Sequence, residues 1–363
     1  MRGAIKKDRI GVMTGGGDCP GLNAAVRAVA KTAMLRYGME VIGIKDGYTG
    51  LVEKKFISLS YDDVSGILSL GGTFLGASNK ANPFRYIQST GKPKDLSDLA
   101  LKNFKAMALK GLVCIGGDGT LTIAYELYKK GLKVVGVPKT IDNDLKETDV
   151  TIGFDSALVT ATEAIDKLHT TAQSHHRVMV VEVMGRYAGW LALYAGVAGG
   201  GDIIIIPELP YDIKKVCERV KERNRRGKRF SIVVIAEGAR PKNGDMVVKK
   251  IVKDSTDPVR LGGIGNKIAI DIERYTGLET RVTTLGHLQR GGPPSPFDRV
   301  LATRLGAFAC DLVAEGRFGT MAALKGNNIV AVNLKDAVGS IRRVNLDHPL
   351  IATAIGVGTS FGV

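Results

Sequence analysis

Short apolar runs alternate with longer amphipathic stretches along most of the chain. Strands are predicted at residues 10–13, 41–44, 112–115, 134–137, 178–183, 203–206, 232–236 and 282–285. Helical periodicity covers residues 22–37, 121–130, 157–172, 189–197 and 297–315. Several of the strands are apolar throughout, as expected of parallel strands covered on both faces. Repeated strand–helix alternation predicts an α/β fold of the doubly wound kind, with functional loops at the carboxyl ends of the strands. No low-complexity linker separates two halves, so a domain boundary, if present, is crossed more than once by the chain.

Composition narrows the class. Glycine accounts for 46 of 363 residues, well above the roughly 7% of ordinary usage, yet it follows no three-residue period. With 44% hydrophobic and 24% charged residues, disorder and collagen-like repetition are excluded. The length exceeds the roughly 250–300 residues that one core serves. Cys19, Cys114, Cys217 and Cys310 are widely spaced and form no C-x-x-C pair, which predicts a reduced, cytoplasmic protein without structural zinc. Residues 1–9 are basic but lack the apolar stretch of a signal peptide, and no run of about 18 apolar residues predicts a membrane span.

The surplus glycines sit at predicted strand ends. Gly15-Gly16-Gly17-Asp18 follows the first strand, and Gly116-Gly117-Asp118-Gly119-Thr120 follows the run at 112–115. A glycine turn opening a helix presents backbone N–H groups to a phosphate; a tight turn needing positive φ is the alternative use. The first loop is not a Walker motif, because Leu22 follows Gly21, nor a dinucleotide fingerprint, because Pro20 takes the last glycine's place. No H-R-D or D-F-G pair marks a protein kinase. Asp118 can serve Mg²⁺ through oxygen or cap the helix beyond it. In Thr140-Ile141-Asp142-Asn143-Asp144, residues two apart in an extended segment face one way, so Asp142 and Asp144 can converge for proton transfer; a polar Asx turn is the alternative.

These blocks, with Gly71-Gly72-Thr73-Phe74-Leu75-Gly76, Ser174-His175-His176-Arg177, Met184-Gly185-Arg186-Tyr187, Ala236-Glu237-Gly238 and the run from Arg281 to Gly292, together resemble the 6-phosphofructokinase family. Diacylglycerol and NAD kinases share only the Gly116 loop. The resemblance implies two doubly wound domains with mostly parallel sheets and the active site in the cleft between them. The first comprises residues 1–153 plus about 289–339 and the second 154–288 plus about 340–363. It implies transfer of a phosphoryl group from MgATP, or from pyrophosphate, to the 1-hydroxyl of fructose 6-phosphate, with Asp142 as base and Thr140, Asp144 and Arg186 beside it. Ile141, Met184, Gly185, Glu237, His287, Leu288, Gln289 and Arg290 match sugar-phosphate positions. Gly16, Tyr48, Arg85, Tyr86, Gly117, Asp118, Gly119 and Thr120 match the phosphoryl-donor side, with Asp118 associated with Mg²⁺. Arg177 and Arg281 reach a neighbouring subunit's site in the family, which implies a homodimer or homotetramer.

Two positions bear on the donor. Pyrophosphate users of the family typically carry Asp where this chain has Gly119, and Lys where it has Lys139. A carboxylate at 119 crowds and repels the α-phosphate of ATP, whereas a lysine need not exclude it, so sterics favour ATP. The formal charge of +15 also admits a nucleic-acid partner. Aromatics at 6% and the absence of a recognised motif argue against specific nucleic-acid binding. His169, His175 and His348 read as structural, and Trp190 as core.

Overall fold

The computed structural model describes residues 7–87, 91–252 and 259–363. In chain order the strands are β1 (Arg9–Thr14), β2 (Glu40–Ile44), β3 (Phe56–Leu59), β4 (Tyr86–Ile87), β5 (Pro93–Lys94), β6 (Leu109–Gly116), β7 (Val134–Pro138), β8 (Val178–Val183), β9 (Ile203–Ile205), β10 (Ser231–Ala236), β11 (Val248–Ile251), β12 (Val259–Leu261), β13 (Thr280–Thr284), β14 (Thr320–Lys325) and β15 (Asn328–Asn333). The helices are α1 (Leu22–Tyr37), α2 (Tyr48–Glu53), α3 (Ser97–Ala106), α4 (Asp118–Lys129), α5 (Phe154–His175), α6 (Trp190–Ala198), α7 (Ile213–Arg225), α8 (Ile264–Thr276), α9 (Pro296–Ala314), α10 (Leu334–Ala337) and α11 (Pro349–Gly356).

A seven-stranded sheet runs in the order β15-β14-β7-β6-β1-β2-β3, and a four-stranded sheet in the order β13-β8-β10-β9. The second is parallel throughout. In the first, the edge pairs β2–β3 and β14–β15 are antiparallel. The edge strand β3 escapes the sequence pattern because it is short, partly exposed and lacks a continuous apolar run, and β15 is not among the predicted strands although it carries the run Ile329 to Val332. Helices α3, α7 and α8 escape it as well. The described chain supplies β1 to β3, β6 and β7 to the first sheet, crosses to build the second, and returns for β14 and β15. It then crosses again, so that Ser360 bridges Ile203.

Alternation along β1 and β6 explains the layers. Ile10, Val12, Val113 and Ile115 share a core with Leu22 and Val26 of α1, while Met13, Leu112 and Cys114 face Leu121 and Leu127 of α4. Thus α1 and α4 cover opposite faces, and the loops that enter them diverge at adjacent strands β1 and β6. A crevice opens at such a point of reversal. The core on the α1 side continues through α5 and α6 to Val181 and Val234 of the second sheet, joining the two layers. Buried Asp298 reinforces the junction: its carboxylate accepts from the Gly153 N–H (3.0 Å) and from the Ser156 N–H and hydroxyl (2.8 and 2.6 Å). All four cysteines are buried and unpaired with one another. No helix among the described residues is long and apolar enough to cross a membrane.

Candidate active site

A cleft of about 1050 Å³ collects the loops at the carboxyl ends of β1, β6 and β7 with those of β8, β10 and β13. Its glycine wall is made by two interlocked turns. The Gly15 N–H donates to the Ile115 carbonyl (2.9 Å) and the Gly16 N–H to that of Ser78 (3.2 Å), with Gly16 at φ 77°. The Thr120 side chain lies over both turns: a Cβ at Gly15 would meet its Cγ2 at 2.7 Å, and one at Gly116 its Cβ at 2.4 Å. Close approach of two loops is therefore what these glycines permit. Tyr48 is buried and donates to the Thr120 carbonyl (2.7 Å), and burial pushes its phenol well up, so it stays a donor. Lys139 donates to the carbonyls of Gly15 (3.1 Å) and Gly17. Asp118 opens α4 after the N-cap Gly117, and its Oδ1 accepts from the Gly339 N–H (3.0 Å). Gly119 lies exposed on the same wall.

Beyond β7 the chain does not stay extended, which corrects the expectation for the two aspartates. Asn143 adopts φ 52°, in the left-handed region, and Asp142 and Asp144 reach the cleft around this turn rather than along a strand face. The Asp142 N–H donates to Thr140 Oγ1 (3.1 Å), and the Thr140 carbonyl accepts from Thr151 Oγ1 (2.6 Å). Asn143 Oδ1 accepts from the Thr151 N–H (3.1 Å). Asp142 is 6% exposed. Burial, then the negative charges of Asp142 and Asp118, push the Asp144 carboxyl well above the usual carboxylate range.

The facing wall follows β8 and β10. The Met184 N–H donates to buried Gln289 Oε1 (2.9 Å), and Gly185 turns at φ 135°. Arg186 is held at φ 51°, its N–H donating to Glu237 Oε1 (3.2 Å). Burial, then the charge of Asp142, push the Glu237 carboxyl up to about 7. Ile141, His287 and Arg290 complete the lining, with the Arg290 guanidinium across Gly17.

The sequence pattern of the phosphofructokinase family matches residues 9–313. The chain belongs to the phosphofructokinase family. A relative from Clostridium perfringens, named ATP-dependent 6-phosphofructokinase 2, is 54% identical over 99% of this chain and 100% of its own length. A Streptomyces coelicolor relative, named pyrophosphate–fructose 6-phosphate 1-phosphotransferase, is 49% identical over 96% of this chain and 99% of its own. The crystal structure of Pichia pastoris phosphofructokinase in the T-state superposes with a TM-score of 0.79 at 33% identity, covering 98% of this chain and 37% of that longer one. A Marinobacter aquaeolei pyrophosphate-dependent phosphofructokinase, 21% identical with a TM-score of 0.79 over 93% of this chain and 86% of its own, shares the fold.

Not every expected residue of this family member lines the cleft. Arg85 is exposed outside it, and the Tyr86 hydroxyl donates to Glu53. Leu288 is 69% exposed. Gln289 lies behind the lining, where it orients Met184. Arg177 and Arg281 also lie outside the lining of their own chain, and both pair with Glu279. Conversely, Lys249, Lys250 and Arg260 of the β11–β12 hairpin line the cleft unpredicted. No sequence motif marks them, and residues 253–258 between the two strands lie outside the described residues. Glu182, buried in β8, accepts from the Gly263 and Gly265 N–H groups (2.9 and 2.8 Å) and so fixes the start of α8 beneath that hairpin.

Proposed function

We propose that the chain phosphorylates fructose 6-phosphate at its 1-hydroxyl, using MgATP, to give fructose 1,6-bisphosphate. The observation that carries this reading is the placement of Asp142 at the meeting of a glycine wall and a wall bearing Arg186, Glu237, His287 and Arg290. The near full-length likeness to relatives named ATP-dependent 6-phosphofructokinase supports it. Asp142 takes the proton of the 1-hydroxyl as that oxygen attacks the γ-phosphorus, and ADP departs with the electrons of the broken P–O bond. Thr140 orients the Asp142 backbone, and Arg186 faces the transferring group with a fixed positive charge. His287 and Arg290 hold the 6-phosphate, for which planar guanidinium recognition is suited.

Asp118, Asp142 and Asp144 line one end of the cleft, where burial first, and then the charges of Asp142 and Asp118, raise the Asp144 carboxyl. Among the described residues no group of three or more His, Cys, Asp and Glu side chains forms a metal cage. That fits Mg²⁺, which is commonly held by one or two carboxylates and the substrate's phosphates. Asp118 would hold it, and Mg²⁺ when bound neutralises charge on the phosphates. Residues 1–153 plus about 289–339 form the donor domain, and 154–288 plus about 340–363 the sugar-phosphate domain. Arg177 and Arg281, outside the lining of their own cleft, serve the site of a second copy in a homodimer or homotetramer. A reduced, cytoplasmic setting accords with the four buried thiols.

Lys139 and the Streptomyces relative favour pyrophosphate as the second reading of the donor. The test is an activity matrix of ATP and pyrophosphate against fructose 6-phosphate and sedoheptulose 7-phosphate with Mg²⁺. Turnover of fructose 6-phosphate with ATP is expected, and activity with pyrophosphate alone refutes the donor assignment. Gly119→Asp should lower kcat/KM for ATP at least roughly 100-fold through crowding and charge repulsion, corresponding to about 2.7 kcal/mol.

A further inference from the structure

We propose that Arg342, which no sequence motif marks, is a positioning residue that fixes the turn between Asp142 and Asp144 and ties it to the start of α6. This rests on the phosphotransfer reading above, in which that turn carries the base.

Arg342 lies on the segment that leaves α10 and crosses from the first sheet to the second. Its guanidinium donates through Nε (3.3 Å) and Nη2 (3.0 Å) to the carbonyl of Asn143, and through Nη2 (2.9 Å) to that of Asp149. Asn143 is the left-handed residue of the aspartate turn. A non-glycine residue keeps that conformation only where its surroundings hold it there. The Thr151 bond secures the Asn143 side chain, and Arg342 secures its carbonyl. The Arg342 N–H donates to the next carbonyl, that of Asp144 (2.7 Å). One residue thus holds two consecutive peptide groups of the loop that presents both carboxylates.

The other side of Arg342 meets the sugar wall. Its guanidinium stacks 4.6 Å from the ring of Trp190, whose Nε1–H donates to the Arg342 carbonyl (3.0 Å). Trp190 begins α6, directly after the turn that carries Met184, Gly185 and Arg186. Two residues further on, the Val344 N–H shares Glu208 Oε1 with the Gly189 N–H (2.9 and 3.0 Å). Three residues before, the Gly339 N–H reaches Asp118 (3.0 Å). The segment 339–344 is therefore bonded to the donor-side aspartate, the base-bearing turn and the sugar loop at once. Only arginine supplies this set, because its planar fork donates in several directions while its face stacks on an indole; lysine offers a single point of charge.

The test uses the full-length enzyme with R342M, R342K and W190F. Misplacement of the base without loss of substrate contacts lowers kcat by roughly 100-fold in R342M and leaves both KM values within about twofold. R342K recovers little, since the bidentate and stacked contacts stay lost. Backbone hydrogen exchange across residues 141–145 quickens in R342M, while that of β1 and β6 is unchanged. Should R342M fail to fold, R342K and W190F decide the matter by the same two readouts. Wild-type kcat and wild-type exchange in folded variants overturn the proposal, as does a loss confined to thermal stability. A wild-type enzyme inactive on fructose 6-phosphate refutes the functional reading instead, and the exchange measurement still tests the clamp.

Discussion

The ammonium nitrogen of Lys139 lies 3.1 Å from the carbonyl oxygen of Gly15 and also donates to that of Gly17. A residue after β7 thereby braces the loop after β1. Lys139 is 3% exposed, and burial depresses its pKa. Its charge is directed first at the peptide groups of the glycine loop, which explains how a lysine here is compatible with a bulky nucleotide. Lys139→Met leaves two inner carbonyls without this donor, at about 1–3 kcal/mol in urea unfolding. KM for the phosphoryl donor should rise more than KM for the sugar phosphate, as steady-state kinetics will read.

Asp142→Asn removes the proton acceptor while keeping size and the 3.1 Å backbone bond to Thr140. The expected loss in kcat is roughly 10²–10⁴-fold. Equilibrium binding of fructose 6-phosphate, measured by calorimetry, should change little, because the base acts in the transition state. Equal losses in binding and turnover would count against its role as base.

Gly238→Ala tests the close approach of two sugar-side loops. A Cβ there would fall 1.7 Å from the Arg186 carbonyl oxygen, a backbone atom that no rotamer change can move aside. The Arg186 turn must shift, so the sugar-phosphate KM should rise at least about tenfold and stability fall by about 1–3 kcal/mol. Kinetics paired with chemical denaturation distinguish the two losses.

Glu237 supplies a pH signature. Its folded-state pKa is raised to about 7 from an ordinary carboxyl value, first by burial and then by Asp142. The folded chain therefore binds a proton that the unfolded chain releases. Its contribution to stability is complete below the unfolded pKa of about 4.3 and is lost as pH rises through about 7. Glu237→Gln removes that loss. Denaturation midpoints should show the variant gaining on wild type between pH 4.5 and 7, and a constant difference across that range would refute the assignment.

Much of the site was legible in sequence because its chemistry is local. The strands that are buried on both faces are apolar at most positions, with a polar side chain such as Glu182 of β8 held by backbone N–H groups, and the glycines at their ends leave room for neighbouring loops. The Gly15 and Gly116 turns and Thr140 to Asp144 could therefore be recognised as segments, whereas the Met184 to Arg186 turn was marked only by the family resemblance. The edge strand β3 could not, since a short half-exposed strand carries a weaker pattern.

The chain by itself determined which segments bear the chemistry, because side-chain type and turn-forming glycine are properties of a few adjacent residues. Tertiary structure alone decided how they are aimed. Asp142 and Asp144 converge through a left-handed Asn143 whose carbonyl is held by Arg342, 199 positions away. Lys139 turned toward Gly15 across 124 positions, and Gln289 turned inward toward Met184 across 105. Such pairings arise from the order of strands in two sheets and the crossings between them. No local pattern encodes them, since either partner alone is an ordinary polar residue until the fold supplies the other.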